Sequence, residues 1–317
     1  MLFDLRPKER RSELYDRREE LSELHRLTRT EWVVILGRRM SGKTSLLKTF
    51  LNEVSGIYVN LSGVRSIRGL IEELAKHVKE FRISLSLGPL GVSWARLAED
   101  LFSHLEGKII GLDEAQELPA NYALRLFKKI WDTYDVRIVF TGSMMGLLQR
   151  LLEPGPRSPF YGRQPARILL RPFSREQSLD FLEKGFMECG MRVNRDELLE
   201  AVERLDGYPG WLTYYGNARC IRGLGHGEAL DHVYREGRQI LMEELKRFLS
   251  TRRNPELYTR LLRLLPATWK QLLRGLGVNP KVLRDMLRSL QGAMIVEKIG
   301  NTYTVTDPVM RQLVYEL

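Results

Sequence analysis

The stretch that most constrains this chain is residues 32–47, WVVILGRRMSGKTSLL. Residues 32–36 are a short apolar, β-branched run of the kind that makes a buried parallel strand, and Gly37 to Thr44 then fit G-x-x-x-x-G-K-[ST] without a mismatch. Leu46, Leu47, Phe50, Leu51 and Val54 fall on one face at helical spacing, so a helix follows at once. Strand, glycine loop and helix in that order predict an α/β unit with a parallel sheet and a phosphate-binding loop.

Each residue type in the loop answers a need of a bound triphosphate. Gly37 and Gly42 allow backbone conformations that a Cβ obstructs. Successive N–H groups of Gly37, Arg38, Arg39, Met40, Ser41, Gly42, Lys43, Thr44 and Ser45 are then expected to converge on phosphate oxygens at the helix N-terminus. Lys43 is expected on the β- and γ-phosphates, and Thr44 would offer its hydroxyl to a Mg²⁺ bridging the same oxygens. The expected cofactors are ATP or ADP with Mg²⁺. The bland alternative, a strand-to-helix turn that holds nothing, does not account for the flanking elements.

A second signal lies at residues 108–118, KIIGLDEAQEL. An apolar strand ends there in Asp113-Glu114, seventy positions after Lys43. A phosphate-loop unit needs carboxylates at the end of a neighbouring strand. Asp113 would hold the Mg²⁺ hydration shell, and Glu114 would polarise the attacking water. A fourth strand over 136–141 ends in Gly142-Ser143, which makes Ser143 a candidate sensor of the γ-phosphate or part of a simple turn. Arg163, in the run SPFYGR, has two readings: it reaches transition-state charge in its own subunit or a neighbour's, or it is a surface arginine.

The remaining pattern assigns helices to 13–27, 67–81, 94–105 and 122–134, and strands to 56–61 and 167–170. Residues 83–92, ISLSLGPLGV, alternate like a hairpin and have no assigned role. From Phe173 onward the pattern is helical, with a Ser174/Gln177 capping box and helices near 174–188, 195–205, 211–223 and 227–250. Residues 207–211, GYPGW, read as a loop between the second and third of these. The last segment reads helix (255–265), helix (268–276), helix (280–291) and two strands (294–298, 302–305) turning at Gly300-Asn301. That is the order of a winged helix-turn-helix. Lys281, Arg284 and Arg288 fall on one side of its third helix, while Val282, Leu283, Met286 and Leu290 can face a core. The expected divisions are 1–171, 172–250 and 251–317.

Composition narrows the setting. The chain has 317 residues, enough for two or three units, with 43% hydrophobic and 28% charged residues. No window approaches a membrane span, and the first twenty residues are too charged for a signal peptide, so a cytoplasmic protein without membrane contact is expected. Two cysteines, Cys189 and Cys220, are expected as buried free thiols, and five scattered histidines suggest no metal site beyond nucleotide-borne Mg²⁺. An arginine-rich chain with few Asn, Gln and Cys hints at a thermophile. Net charge is +10, of which residues 251–317 supply +6, from eleven Lys/Arg against five Asp/Glu. The C-terminal segment is therefore the candidate nucleic-acid surface, or a protein-docking one.

With these pieces placed, the chain resembles the archaeal ATPase family, within the STAND branch of AAA+-like P-loop proteins, over nearly all its length. Gly37, Gly42, Lys43 and Thr44 match its Walker A motif, and Asp113, Glu114 and Gln116 its D-E-x-Q Walker B motif. Asp16-Arg17-Arg18-Glu19-Glu20-Leu21 is similar to its G-R-E-x-E-L motif, with Asp16 in place of Gly, which implies Arg17 near the adenine. Thr141-Gly142-Ser143 looks like its sensor strand, Phe160-Tyr161-Gly162-Arg163 like its L-Y-G-R segment, and Gly207-Tyr208-Pro209 like the G-x-P turn of its lid, whose proline is expected near the adenine.

The resemblance implies an ATPase core, an all-α lid and a winged helix, working as a slowly hydrolysing ATP switch that engages double-stranded DNA, a protein partner or another copy of itself. Two alternatives stay open. One is a nucleic-acid loader like archaeal origin-recognition initiators, for which Arg219 and Arg222 are the candidate lid arginines. The other is a scaffold that holds nucleotide without turnover, against which Glu114 argues.

Overall fold

The computed structural model describes residues 1–78, 94–142 and 146–316. The hairpin expected at 83–92 and the sensor candidate Ser143 lie outside the described residues. The chain divides into two compact units, Pro7–Leu170 and Met1–Arg6 with Arg171–Leu317.

The first unit runs α1 (Arg18–Leu27), β1 (Val33–Leu36), α2 (Lys43–Glu53), β2 (Ile57–Asn60), α3 (Ile67–Ala75), α4 (Trp94–Ser103), β3 (Ile109–Asp113), a 3₁₀ turn (Ala115–Glu117), α5 (Ala120–Thr133), β4 (Arg137–Gly142), α6 (Gly146–Leu152) and β5 (Ala166–Leu169). Its five strands are parallel in the order β2-β3-β4-β1-β5. β1 is flanked on both edges and all four of its residues are buried, which is why its sequence is apolar throughout instead of alternating. On one face Leu21, Leu24, Leu46, Leu47 and Phe50 of α1 and α2 pack on Val33, Ile35, Val139 and Ile168. Gly111 lets α2 lie close to β3, because a Cβ there would collide with Leu47 and Leu51.

Parallel order has one functional consequence. Every strand ends at the same edge of the sheet, so the loop after β1, the acidic pair after β3 and the end of β4 are neighbours despite their separation in sequence.

The helix expected over 13–27 begins only at Arg18, since Asp16 takes a left-handed φ of +44° and Arg17 a non-helical φ of −133°. The helix expected over 67–81 gives way after Ala75 to a turn through Val78. α6 was not expected, although Leu147, Leu148, Leu151 and Leu152 have helical spacing and are all buried.

The second unit contains α7 (Arg175–Glu188), α8 (Arg195–Leu205), α9 (Pro209–Cys220), α10 (His226–Ser250), α11 (Pro255–Arg263), β6 (Ala267–Thr268), α12 (Trp269–Leu276), α13 (Pro280–Gly292), β7 (Val296–Ile299), β8 (Thr302–Val305) and α14 (Pro308–Leu313). β6, β8 and β7 form an antiparallel sheet in that order. The Ser174/Gln177 capping box is present at α7, and Thr268 with Gln271 makes another at α12.

The first six residues belong to this unit. Phe3 is fully buried, with its ring centroid 5.1 Å from that of Phe186, and Gly185 and Gly216 make room for it because a Cβ at either would strike its ring. Asn217 Nδ2 donates to Phe3 O at 2.9 Å, and Leu2 N to Glu188 Oε2 at 2.6 Å, fixing the arm.

The expectation of free thiols is overturned. Cys189 and Cys220 form a disulfide, joining the C-terminal ends of α7 and α9, whose Cα atoms lie 6.2 Å apart. The packing of two helices whose ends are 31 residues apart in sequence brings the sulfurs together, and neither thiol is fully buried. Val282, expected toward the core, is exposed, and Leu287 takes the buried position beside Leu283, Met286 and Leu290. Among the described residues no helix is long and apolar enough to cross a membrane.

Candidate functional site

The glycine loop folds as its sequence requires. Gly42 has φ +91° with nothing within 4 Å of a Cβ position, and Met40 is also left-handed at φ +67°. A Cβ on Gly37 would strike Ser41 Oγ and come within 3.2 Å of Leu170 Cβ. Ser41 Oγ is buried and has no hydrogen-bond partner among the described residues. Lys43 is buried at the first turn of α2, its Nζ donating to Gly37 O at 2.9 Å and Arg38 O at 3.0 Å. Open space over Gly42, an orphaned hydroxyl and a buried ammonium at a helix start fit a phosphate group.

Beside the loop, Asp113 is buried and accepts four hydrogen bonds. Thr44 Oγ1 and Tyr58 OH donate to its Oδ2 at 2.8 and 2.9 Å, while Glu114 N at 3.1 Å and the Thr141 hydroxyl donate to Oδ1. Thr141 comes from β4, which lies between β1 and β3, so the hub ties three adjacent elements of the sheet edge to α2. The tyrosine's phenol is pushed well above its ordinary pKa by burial first and the adjacent Asp113 charge second, so it remains a donor at any working pH. Thr44 and Asp113 offer the oxygen donors a hard divalent cation takes.

Glu114 turns the chain with φ +57°, directing its carboxylate away from the strand, where it accepts from the Gln116 carboxamide. That carboxamide sits against Gly142, since a Cβ there would collide with it.

The other expected residues scatter. Arg17 is buried beside the loop, its Nη2 reaching Ser41 O at 3.4 Å and its Nη1 pairing with Glu20 at 2.8 Å. Asp16, standing where the family motif has Gly, adopts the left-handed backbone that glycine favours and aspartate tolerates. Arg38 is buried and Arg39 exposed, and Ser45 Oγ accepts from Lys8 N at 3.1 Å.

Arg163 is not beside Lys43. It pairs with Asp132 at 2.9 Å, three residues before β5 begins, and the neighbouring Phe160 packs on Trp32, just ahead of β1; this is the opposite edge of the sheet. Pro209 is not in a loop but opens α9. Gly207 is left-handed at φ +72°, and a Cβ there would collide with Phe173 O. Arg219 is engaged with Glu197 at 2.7 Å. Lys281, Arg284 and Arg288 are all exposed on α13.

Tyr58 was missed by sequence reasoning. It pairs with Gly111 in the sheet register, so it shares a face with Asp113 two residues further along β3.

This fold and this loop define an ATP-binding ATPase of the P-loop class. Residues 14–214 match the family described as an ATPase domain predominantly from Archaea. A Walker-type ATPase of Pyrococcus abyssi is 32% identical over 99% of both chains, with a TM-score of 0.84. The ORC2 protein of Aeropyrum pernix, solved in ADPNP and ADP complexes, shares the fold at 14% identity, covering 99% of this chain and 95% of that one with a TM-score of 0.66. No curated protein matched. The chain belongs to the archaeal ATPase family, AAA+-like in architecture.

Proposed function

We propose that the protein is an ATP-dependent molecular switch of the STAND kind, hydrolysing ATP slowly and using nucleotide state to reposition a helical lid (172–250) and a winged helix (251–317) that engages double-stranded DNA. The observation that carries this reading is the convergence of Thr44, Tyr58, Thr141 and the Glu114 backbone on Asp113 beside Lys43.

In this reading the loop N–H groups and Lys43 hold the β- and γ-phosphates and neutralise their charge. Thr44 and Asp113 would hold Mg²⁺, which supplies charge stabilisation on the phosphate oxygens when bound. Glu114 accepts the proton of the attacking water at its carboxylate. Its bond from Gln116 must then be surrendered, which is a physical reason for slow turnover. Arg163, at the far edge of the sheet, would serve only a neighbouring subunit. Arg17, buried against Ser41, supports the assignment of the adenine to that side of the loop.

The order α11, β6, α12, α13, β7, β8 supports the winged-helix reading, with α13 presenting Lys281, Arg284 and Arg288 to the duplex. Titrating the protein with fluorescent duplex in ADP and in a non-hydrolysable ATP analogue tests the switch. Affinity should differ between nucleotides, and Lys281→Ala with Arg284→Ala should weaken binding and flatten its salt dependence by a slope of about 1.8. Equal, weak binding in both states would turn the search to protein partners.

A further inference from the structure

A cleft on the ATPase unit has no part in the site above. The start of α5, the end of α6 and the segment after it enclose a cavity of about 620 Å³, lined chiefly by Asn121, Tyr122, Arg125, Arg150, Arg157 and Ser158. No carboxylate is among its described lining residues. Further along α5, Lys128 and Lys129 are neutralised by Asp132 and Glu99. The guanidinium groups of Arg125 and Arg157 make no hydrogen bond or ion pair with any described residue, and that of Arg150 binds only the neutral Asn121 side chain among them. At the rim Tyr122 leaves 70% of its surface in solvent.

Three guanidinium groups around one cleft repel each other and attract a polyanion, and their planar forks match phosphate oxygens. An exposed tyrosine ring beside them offers a stacking platform. The volume suits one nucleotide, not a duplex, and a base can lie on Tyr122 only when unpaired. We propose that this cleft binds single-stranded nucleic acid, with Arg125, Arg150 and Arg157 gathered around the phosphates that flank one nucleotide and its base stacked on Tyr122. This contact is separate from the duplex contact assigned to α13.

The test is a salt titration of the full-length chain with a fluorescent oligothymidine, comparing wild type, Arg125→Ala with Arg157→Ala, Tyr122→Ala, Tyr122→Phe, and Lys281→Ala with Arg284→Ala. ATP binding, which none of these residues touches, reports that each variant is folded. The arginine pair should lower affinity at least tenfold and reduce the log–log salt slope by about 1.4, for two phosphates. Tyr122→Ala should weaken binding about fivefold or more, and Tyr122→Phe should restore it. Wild-type affinity and slope in the arginine variant would overturn the proposal. So would loss confined to the Lys281/Arg284 variant, or an arginine-dependent cleft that takes inorganic tripolyphosphate as well as oligonucleotide and ignores Tyr122.

Discussion

Two buried aspartates, one in each unit, sit at the centre of hydrogen-bond hubs built from different donors. Asp113 is 3% exposed and takes its bonds mainly from side chains, the hydroxyls of Thr44 and Thr141 and the phenol of Tyr58. Asp307 is fully buried and takes Trp211 Nε1 at 3.0 Å together with the backbone N–H groups of Val309 and Met310, which begin α14. Hydroxyl donors at the edge of a sheet can be exchanged for other ligands without unfolding anything. Backbone donors at a helix start and a buried indole cannot, because releasing them leaves unsatisfied groups in the core. Burial of a carboxylate therefore goes with exchangeable donors in one unit and with a locked joint in the other, and the donors tell the two hubs apart.

The joint holds the G-x-P segment and the C-terminal residues together. Tyr208 OH reaches Thr306 O at 3.4 Å, Arg311 pairs with Asp206 at 2.8 Å, and Gly237 on α10 leaves room for both Trp211 and Val309. The turn that family resemblance connects with adenine is thus also a packing element of its own unit.

The contrast can be broken at four points, taken from the largest expected effect down. Reducing the Cys189–Cys220 bond, which closes a separation of 31 residues, should destabilise the second unit by about 3–4 kcal/mol in the chain-entropy account. Calorimetry with and without reductant reads this, and ATP binding by the first unit should persist. Lys43→Ala should lower ATP affinity about 100-fold, the scale of a buried charge-assisted contact, with the second unit's melting unchanged. Asp307→Ala should cost about 2–3 kcal/mol, from a lost N-cap and an unpaired indole, seen in denaturant unfolding. Its ATP affinity should stay at the wild-type value. Tyr58→Phe removes one of four donors and should lower stability by only about 1 kcal/mol while hydrolysis continues. If Tyr58→Phe proved costlier than Asp307→Ala, the distinction between exchangeable and locked hubs would be wrong.

Much of this was legible in the sequence where function and local backbone coincide. The loop at 37–44 carries its own glycines, and Asp113-Glu114 follows an apolar run, so both could be placed without a fold. What escaped depends on long-range packing. The partnership of Cys189 with Cys220 follows from how α7 and α9 lie together, and Tyr58 joins the hub through sheet register. The far-edge position of Arg163 follows from strand direction, which a motif does not encode. Two omissions had signals. Asp307-Pro308 is a cap followed by proline at the first helical position, and the four leucines of α6 have the helical period.

In the proposed switch, the edge of the parallel sheet hydrolyses ATP through Glu114. Single-turnover phosphate release, measured for wild type and Glu114→Gln at saturating ATP and Mg²⁺ with ATP binding measured in parallel, tests it most directly. Slow release by the wild type, a fall of about 100-fold or more in the variant, and equal ATP binding by both are expected. Equal release by both proteins would contradict it and leave a unit that holds nucleotide without turning it over.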